Sequence, residues 1–416
     1  MVIDIKGHEF DIIPDMKTYK RVYSLIMAEH LAKYRQMIFL SGPRQVGKTT
    51  LATESATAYV SWDKDKDRQL ILSGADTLAG KFGLASLRVG EMPVVAFDEI
   101  HRYSKWKTFL KGFFDTYEKN CRIIATGSAR MDIYKRGGDS MMGRYFPYRV
   151  HPFSVGELLL PEIPGESAVR APIPLSDGDW DALIKFGGFP EPLANRDVRF
   201  QKKWRRLRME QLLREDIRDL TRTTELDIVE RLAMILANRS GEQLVYASLA
   251  REVNVSEPTV KQWVTTLKAL YYGFGIRPWA KNVENSLRKT EKWYLRDWSG
   301  IDDEGKRNET MVACHLLKAV ELWTDIGIGD FELFYIRDKQ KHEVDFLVAK
   351  DHTPWFLVES KTGDTSISPV LGKMQNAVGA KHAFQVVMNL PFVECDAFAY
   401  TDPVVVPART FLAQLP

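Results

Sequence analysis

Continuous apolar runs alternate with amphipathic stretches along the first 150 residues. "MIFL" at 37–40 and "VVAF" at 94–97 read as parallel strands buried on both faces. "RIIATG" at 122–127 reads as a third strand, and "KTFLKGFFDTYE" between the last two has helical spacing. Strands alternating with helices predict a doubly wound α/β domain over residues 1–155, with ligands at the carboxyl ends of its strands. The pattern over 156–235 turns helical. "LLLPEIPGESAVRAPIPL" is a proline-broken connector, "GGFPEP" a loop, and "QKKWRRLRMEQLLREDIRDL" an amphipathic helix, so a helical linker or lid is expected.

Residues 236–298 predict a winged helix-turn-helix. "SLAREVN" is its first helix and "NVSEP" its turn, with Ser256 as N-cap and Pro258 in the first helical turn. "TVKQWVTTLKAL" is the second helix, with Val260, Val264, Leu267 and Leu270 on its apolar face. "YYGFGIRPW" and "KWYLRD" supply the wing. Residues 299–416 form a second α/β unit. It has a helix in "RNETMVACHLLKAVELW", strands in "FELFYIR", "EVDFLVAK" and "WFLVESKTG", and a closing strand and short helix.

The polar residues at the strand ends carry the chemistry. "GPRQVGKTT" follows "MIFL" directly. Gly42, Pro43, Arg44, Gln45, Val46, Gly47, Lys48, Thr49 and Thr50 form a phosphate-binding loop, the Walker A pattern. Glycines let backbone N–H groups curl round phosphates, and the helix that follows points its N-terminus at the same anion. Lys48 would reach the β- and γ-phosphates of ATP, and the Thr49 hydroxyl would ligate Mg²⁺. Asp98 and Glu99 end the second strand as a Walker B pair. Asp98 would hold the Mg²⁺ shell and Glu99 would polarise the attacking water; Asp98 can also cap the next helix. Thr126, Gly127 and Ser128 end the third strand. Ser128, or else Thr126, would sense the γ-phosphate, with a plain turn as the alternative.

Composition removes several other readings. The net charge is +3, so any nucleic-acid surface must come from local patches. Three scattered cysteines exclude a disulfide framework and fit a reducing compartment; the histidines lack metal-ligand spacing. No apolar run reaches membrane-span length and the first residues do not pattern as a signal peptide, so a cytoplasmic protein without a membrane partner is expected. Local patches exist. Five of the seven residues 202–208 are basic, as a solvated face or as a contact surface. Six basic residues between 276 and 296 are interleaved with Trp279, Trp293 and Tyr294, which suits phosphate contact and base stacking; Thr259, Lys261 and Gln262 would face a DNA groove.

"MMGR", "HPFSVGEL" and "FGGFPEPL", together with "GPRQVGKT", "FDEIH" and "TGS", give the chain a wider resemblance. It resembles the bacterial and archaeal ATPases of the AAA+ class that carry a C-terminal domain of unknown function. The resemblance implies an arginine finger or γ-phosphate sensor at Arg144, with Arg130 as the weaker alternative, and is compatible with a homo-oligomer.

In the last domain, Glu309 on the helix, Asp345 of "EVD", and Glu359 and Lys361 of "ESK" give the pattern E…D…E-x-K, which resembles the PD-(D/E)XK nuclease superfamily. Glu359 and Lys361 share a strand face, and Asp345 can meet Glu359 across a hairpin. Asp345 and Glu359 would then hold Mg²⁺, with Glu309 and Lys361 adjacent; a salt-bridged hairpin without metal is the alternative. Two functions follow as expectations. One is an ATPase, with ATP and Mg²⁺ as cofactors, driving a DNA-binding, nuclease-like module. The other is a nucleotide-gated switch for a protein partner, with an inert nuclease fold.

Overall fold

The computed structural model describes residues 19–84, 92–127, 141–213, 217, 225–280 and 290–416. Its first half is built on a five-stranded parallel sheet. The strands are β1 (Met37–Ser41), β2 (Ala58–Ser61), β3 (Val94–Asp98), β4 (Arg122–Gly127) and β5 (Tyr145–Arg149), in the order β2-β3-β4-β1-β5. Strand residues alternate between two cores, as a period of two requires. Phe39, Val95, Phe97 and Ile123 pack against α3 (Asp65–Leu72), α4 (Ala75–Lys81) and α5 (Trp106–Tyr117). Ile38, Leu40, Ala96 and Ile124 pack against α1 (Val22–Lys33) and α2 (Lys48–Ser55). The register sets Ser41 beside Gly127 on one side and Arg149 on the other, so the phosphate loop leaves the sheet where β4 and β5 also end.

The middle holds α6 (Val155–Leu159), α7 (Asp177–Phe186), α8 (Pro190–Asn195), α9 (Val198–Gln211) and α10 (Leu226–Asn238). Side-chain caps start three of them: Ser154 accepts from Glu157 N, Ser176 from Asp179 N and Asp197 from Phe200 N. These helices do not form a free lid. Trp180, Leu183 and Phe186 of α7 share one core with Leu316, Trp323, Phe356 and Phe411, and the Trp298 indole donates to Leu183 O at 3.0 Å. The basic run on α9 divides. Arg208 is half-buried with its guanidinium 3.9 Å over the Phe189 ring, and Arg205 donates to Ser299 O and Gly300 O. Lys202, Lys203 and Arg206 point outward.

A helix pair follows, α11 (Tyr246–Val253) and α12 (Glu257–Ala269), with Ser256 accepting from Thr259 N as the cap. Strands β6 (Gly273–Pro278) and β7 (Lys292–Leu295) then pair antiparallel. The long helix α13 (Glu304–Asp325) leads into β8 (Phe331–Arg337), β9 (Glu343–Lys350), β10 (Thr353–Lys361), α14 (Pro369–Val378), β11 (His382–Val387), β12 (Val404–Pro407) and α15 (Ala408–Ala413). All the later strands form one sheet, ordered β12-β11-β10-β9-β8-β6-β7. The expected boundary at 298/299 therefore falls inside a sheet. Arg277 and Pro278 of β6 pair in parallel with Phe334 and Tyr335 of β8, which gives that edge of β6 a partner. The final turn folds back on α6: Ser154 Oγ donates to Pro416 O at 2.8 Å, and a Cβ at Gly156 would lie 1.9 Å from Leu415 O.

Buried charges join the two halves. The Glu157 carboxylate is sealed from solvent. Its Oε1 receives Arg21 Nε at 2.9 Å and Val22 N at 2.8 Å, and its Oε2 receives Lys318 Nζ at 2.5 Å. Arg21 also donates to Val46 O inside the phosphate loop and to His151 O. Beside it, Arg149 grips Asp325, and His151 Nε2 lies 2.6 Å from Glu321. Burial drives the His151 imidazole down to about 4, so it is neutral at pH 7. Burial, with Arg21 nearby, brings Lys318 down to about 8, and the two cations hold Glu157 below its usual range. Removing one member of such a cluster leaves its partners charged in a dry site. Glu157→Ala is expected to lower unfolding free energy by about 3–5 kcal/mol. Urea denaturation measures this, and a loss below about 1 kcal/mol would contradict the reading.

Candidate nucleotide site and carboxylate cluster

The phosphate loop is shaped by two glycines for different reasons. A Cβ at Gly42 would lie 2.3 Å from Val150 O, so only hydrogen fits there. Gly47 caps α2 in the left-handed region at φ +98°, which favours glycine. Lys48 is buried and donates to Gly42 O at 2.9 Å and Pro43 O at 2.7 Å, so its ammonium lies against the loop's own carbonyls. Val46 is buried, with its carbonyl taken by Arg21, and Thr50 is exposed on the first turn of α2.

Across the loop, the Thr49 hydroxyl is 3.2 Å from each oxygen of Asp98. Asp98 also accepts from Tyr59 OH at 2.7 Å and from Thr126 Oγ1 at 2.5 Å. A hydroxyl and a carboxylate converging from two elements fit Mg²⁺, a hard ion that keeps several waters. Thr126 in turn accepts from Glu99 N at 3.1 Å. Glu99 is non-glycine yet left-handed at φ +51°, a strained setting that turns its side chain at the end of β3. Burial raises its carboxyl, opposed by Lys48. His101 Nδ1 lies 3.6 Å from Glu99 Oε2; burial and the nearby cations push that imidazole down to about 4.

Ser128 and Arg130 lie outside the described residues. Thr126, the alternative to Ser128, is the residue that bonds both members of the Walker B pair. Arg144 does not reach the phosphate loop of its own chain. It precedes β5, its carbonyl bonds Met37 N at the start of β1, and its guanidinium is held two-pronged by Asp115. A five-residue strand, about 16 Å long, separates it from the loop. Strand direction therefore sets Arg144 at the end of the sheet away from its own phosphate loop. Sequence reasoning missed Arg21 and Tyr59, whose partners are distant in the chain. Thr126→Val removes one acceptor and one donor from the site. Nucleotide affinity is expected to stay near that of the parent while turnover falls roughly tenfold to a hundredfold, read by phosphate release and by nucleotide titration.

In the C-terminal sheet Val358 lies opposite Phe346, and the Asp345 carboxylate accepts from Ser360 N at 3.0 Å, which sets it beside the Glu359 end of the neighbouring strand. Glu309 on α13 comes close enough to push on Asp345: burial first, then the Asp345 charge, raise Glu309 to about 7. The expected carboxylates thus do assemble. Lys361 Nζ bonds Glu359 Oε1 at 2.8 Å. A residue outside the expected motif also enters. Lys292 of β7 places its ammonium 3.1 Å from Glu309 Oε1, 2.9 Å from Glu343 Oε1 and 3.3 Å from Asp345 Oδ1. Among the described residues, no group of three or more His, Cys, Asp or Glu side chains is arranged to hold a metal ion.

Two of the three aromatic residues expected to stack on bases are core instead, and the third is half-buried. Trp293 and Tyr294 are fully buried, because β7 is covered by the helices beside it, and Trp279 packs edge-on against Phe334. Thr259 is tied to Ser256 at the cap, while Lys261 and Gln262 stay exposed. Lys261, Thr265 and Lys268 line a cleft of about 980 Å³ shared with Glu291 and Glu332, so its charge is mixed. Among the described residues no helix is long and apolar enough to cross a membrane.

A parallel sheet with a glycine-shaped phosphate loop and paired acids at its carboxyl ends defines a P-loop domain. By comparison, residues 34–159 match the model described as AAA domain, and residues 177–301 match a domain of unknown function (DUF8612). The chain is 24% identical over 341 residues to an uncharacterized protein of Mycobacterium tuberculosis, covering 80% of this chain and 72% of that one. An uncharacterized protein of Methanocaldococcus jannaschii is 24% identical over 417 residues, covering 88% and 85%. Among solved structures, AMPPCP-bound DnaA from Aquifex aeolicus has 12% identity and a TM-score of 0.30, covering 62% of this chain and 93% of its own. Cdc6p from Pyrobaculum aerophilum has 11% identity and a TM-score of 0.23, covering 73% and 92%.

Proposed function

We propose that the chain is a Mg²⁺-dependent ATPase whose nucleotide state is passed to its own C-terminal half. The observation that carries this reading is Arg21, which bonds a phosphate-loop carbonyl and, through Glu157, shares one carboxylate with Lys318 of α13. A shift of the loop on phosphate binding or release then disturbs a buried ion cluster, and the cluster resists partial occupancy. Lys48 binds the β- and γ-phosphates once drawn off its carbonyls. Thr49 and Asp98 hold the ion, which when bound offsets phosphate charge. Glu99 orients the water, and Thr126 fixes both acids. Arg144 acts, if the chain assembles with copies of itself, on a neighbour's nucleotide.

The C-terminal half is proposed to contact DNA as a winged helix joined to a nuclease-like scaffold. Lys202, Lys203 and Arg206 on α9, with Lys261 and Gln262 on α12, are the exposed groups that support it. The mixed-charge cleft beside α12 favours the second reading, a nucleotide-gated contact with a protein partner.

Lys48→Ala is expected to lose nucleotide affinity, and Glu99→Gln to keep it while phosphate release stops. Unchanged hydrolysis by Glu99→Gln would remove Glu99 from its role. DNA binding is expected to weaken linearly on a log–log salt plot. Replacing Lys202, Lys203 and Arg206 by Ala should make that slope shallower by about one for each phosphate no longer neutralised. Binding without salt dependence, or none, would favour the protein-partner reading.

A further inference from the structure

We infer that the cation of the C-terminal carboxylate cluster is built into the chain: the Lys292 ammonium stands where a nuclease of this pattern would carry a divalent metal. The inference rests on the nuclease-like reading of this sheet. It turns on how the carboxylate oxygens are engaged. Asp345 gives Oδ1 to Lys292 and accepts Ser360 N on Oδ2 at 3.0 Å. Glu343 gives Oε1 to Lys292 and Oε2 to Arg337 at 3.0 Å. Glu309 Oε1 takes both Lys292 and Tyr294 OH, the latter at 2.7 Å. Glu359 Oε1 goes to Lys361, which leaves Oε2 as its buried oxygen without a hydrogen-bond partner.

A divalent ion needs several hard oxygens free to turn toward it at about 2.0–2.6 Å. Here Asp345 and Glu343 have each committed both oxygens to protein donors. The ammonium is held as firmly as its ligands. The Lys292 side chain is 4% exposed, and its Nζ lies 5.8 Å from the Tyr294 ring centroid and 6.0 Å from that of Tyr335. A second cation entering this pocket would meet a fixed positive charge at close range, which repels it. A tethered cation of this kind suits a domain that keeps the fold for shape. Lys292 also belongs to β7, the outermost strand, so the cluster fastens the strand pair β6–β7 to α13 and β9.

Mn²⁺ titration of the full chain without nucleotide, followed by calorimetry and by electron paramagnetic resonance, tests this. The parent chain is expected to show no Mn²⁺ binding that Asp345→Asn removes. Lys292→Met keeps the stem and deletes the charge. It is expected to gain Mn²⁺ affinity by about tenfold or more, and Asp345→Asn in that background should abolish the gain. Lys292→Arg retains the charge and should gain nothing. Circular dichroism establishes that each variant is folded. Asp345-dependent Mn²⁺ binding by the parent, or a folded Lys292→Met chain that binds none, would overturn the inference. If Lys292→Met does not fold, the parent titration alone still decides it. ATP hydrolysis measured in the same samples is unaffected by either result, so failure here is distinct from failure of the ATPase reading.

Discussion

One buried carboxylate joins the two halves of the molecule. Glu157 faces two cations, one from the segment before α1 and one from the middle of α13, and neither has water to turn to. The energetics are asymmetric. The complete cluster adds little net stability over a packed apolar core, but any incomplete version is heavily penalised. That asymmetry makes the cluster a device for specificity. It admits one relative placement of the phosphate loop, the segment from His151 to Glu157, and the long helix. The side-by-side cluster of Arg149, His151, Glu321 and Asp325 repeats the same logic one turn along α13.

Much of the nucleotide half is legible in the sequence. Its strands are short, apolar and followed at once by residues whose chemistry depends on short spacing, as in "GPRQVGKTT". Local pattern and site coincide there. Thr126 illustrates the limit. Its strand end is readable, but that its hydroxyl serves both Asp98 and Glu99 depends on the parallel pairing of β3 and β4, which no local spacing encodes. Arg144 shows a second limit: the resemblance singles out the residue, but only strand direction shows that it lies at the end of the sheet away from its own phosphate loop.

The C-terminal half is legible as elements and less so as an assembly. The four motif residues meet, because alternation along β9 and β10 brings Asp345 and Glu359 to one face. Lys292 is invisible. It lies in a run of basic and aromatic residues whose composition matches a nucleic-acid surface, and only the sheet order carries it inward. Trp293 and Tyr294 mislead for the same reason: a four-residue strand buried on both sides has no alternation to read. The boundary near 298 fails because a hairpin's free edge finds a partner in β8.

The contact between Ser154 and Pro416 spans 262 residues. During synthesis at about 5–20 residues per second, the segment before α6 must wait roughly 10–50 s for the residues that cover it. Glu157 cannot be sealed in that interval, and its partner Lys318 is itself made late. The strands of the P-loop sheet are therefore all synthesised well before the residues that anchor its flank. Until Lys318 reaches Glu157, the flank of the phosphate loop lacks the cation that ties it to the C-terminal half.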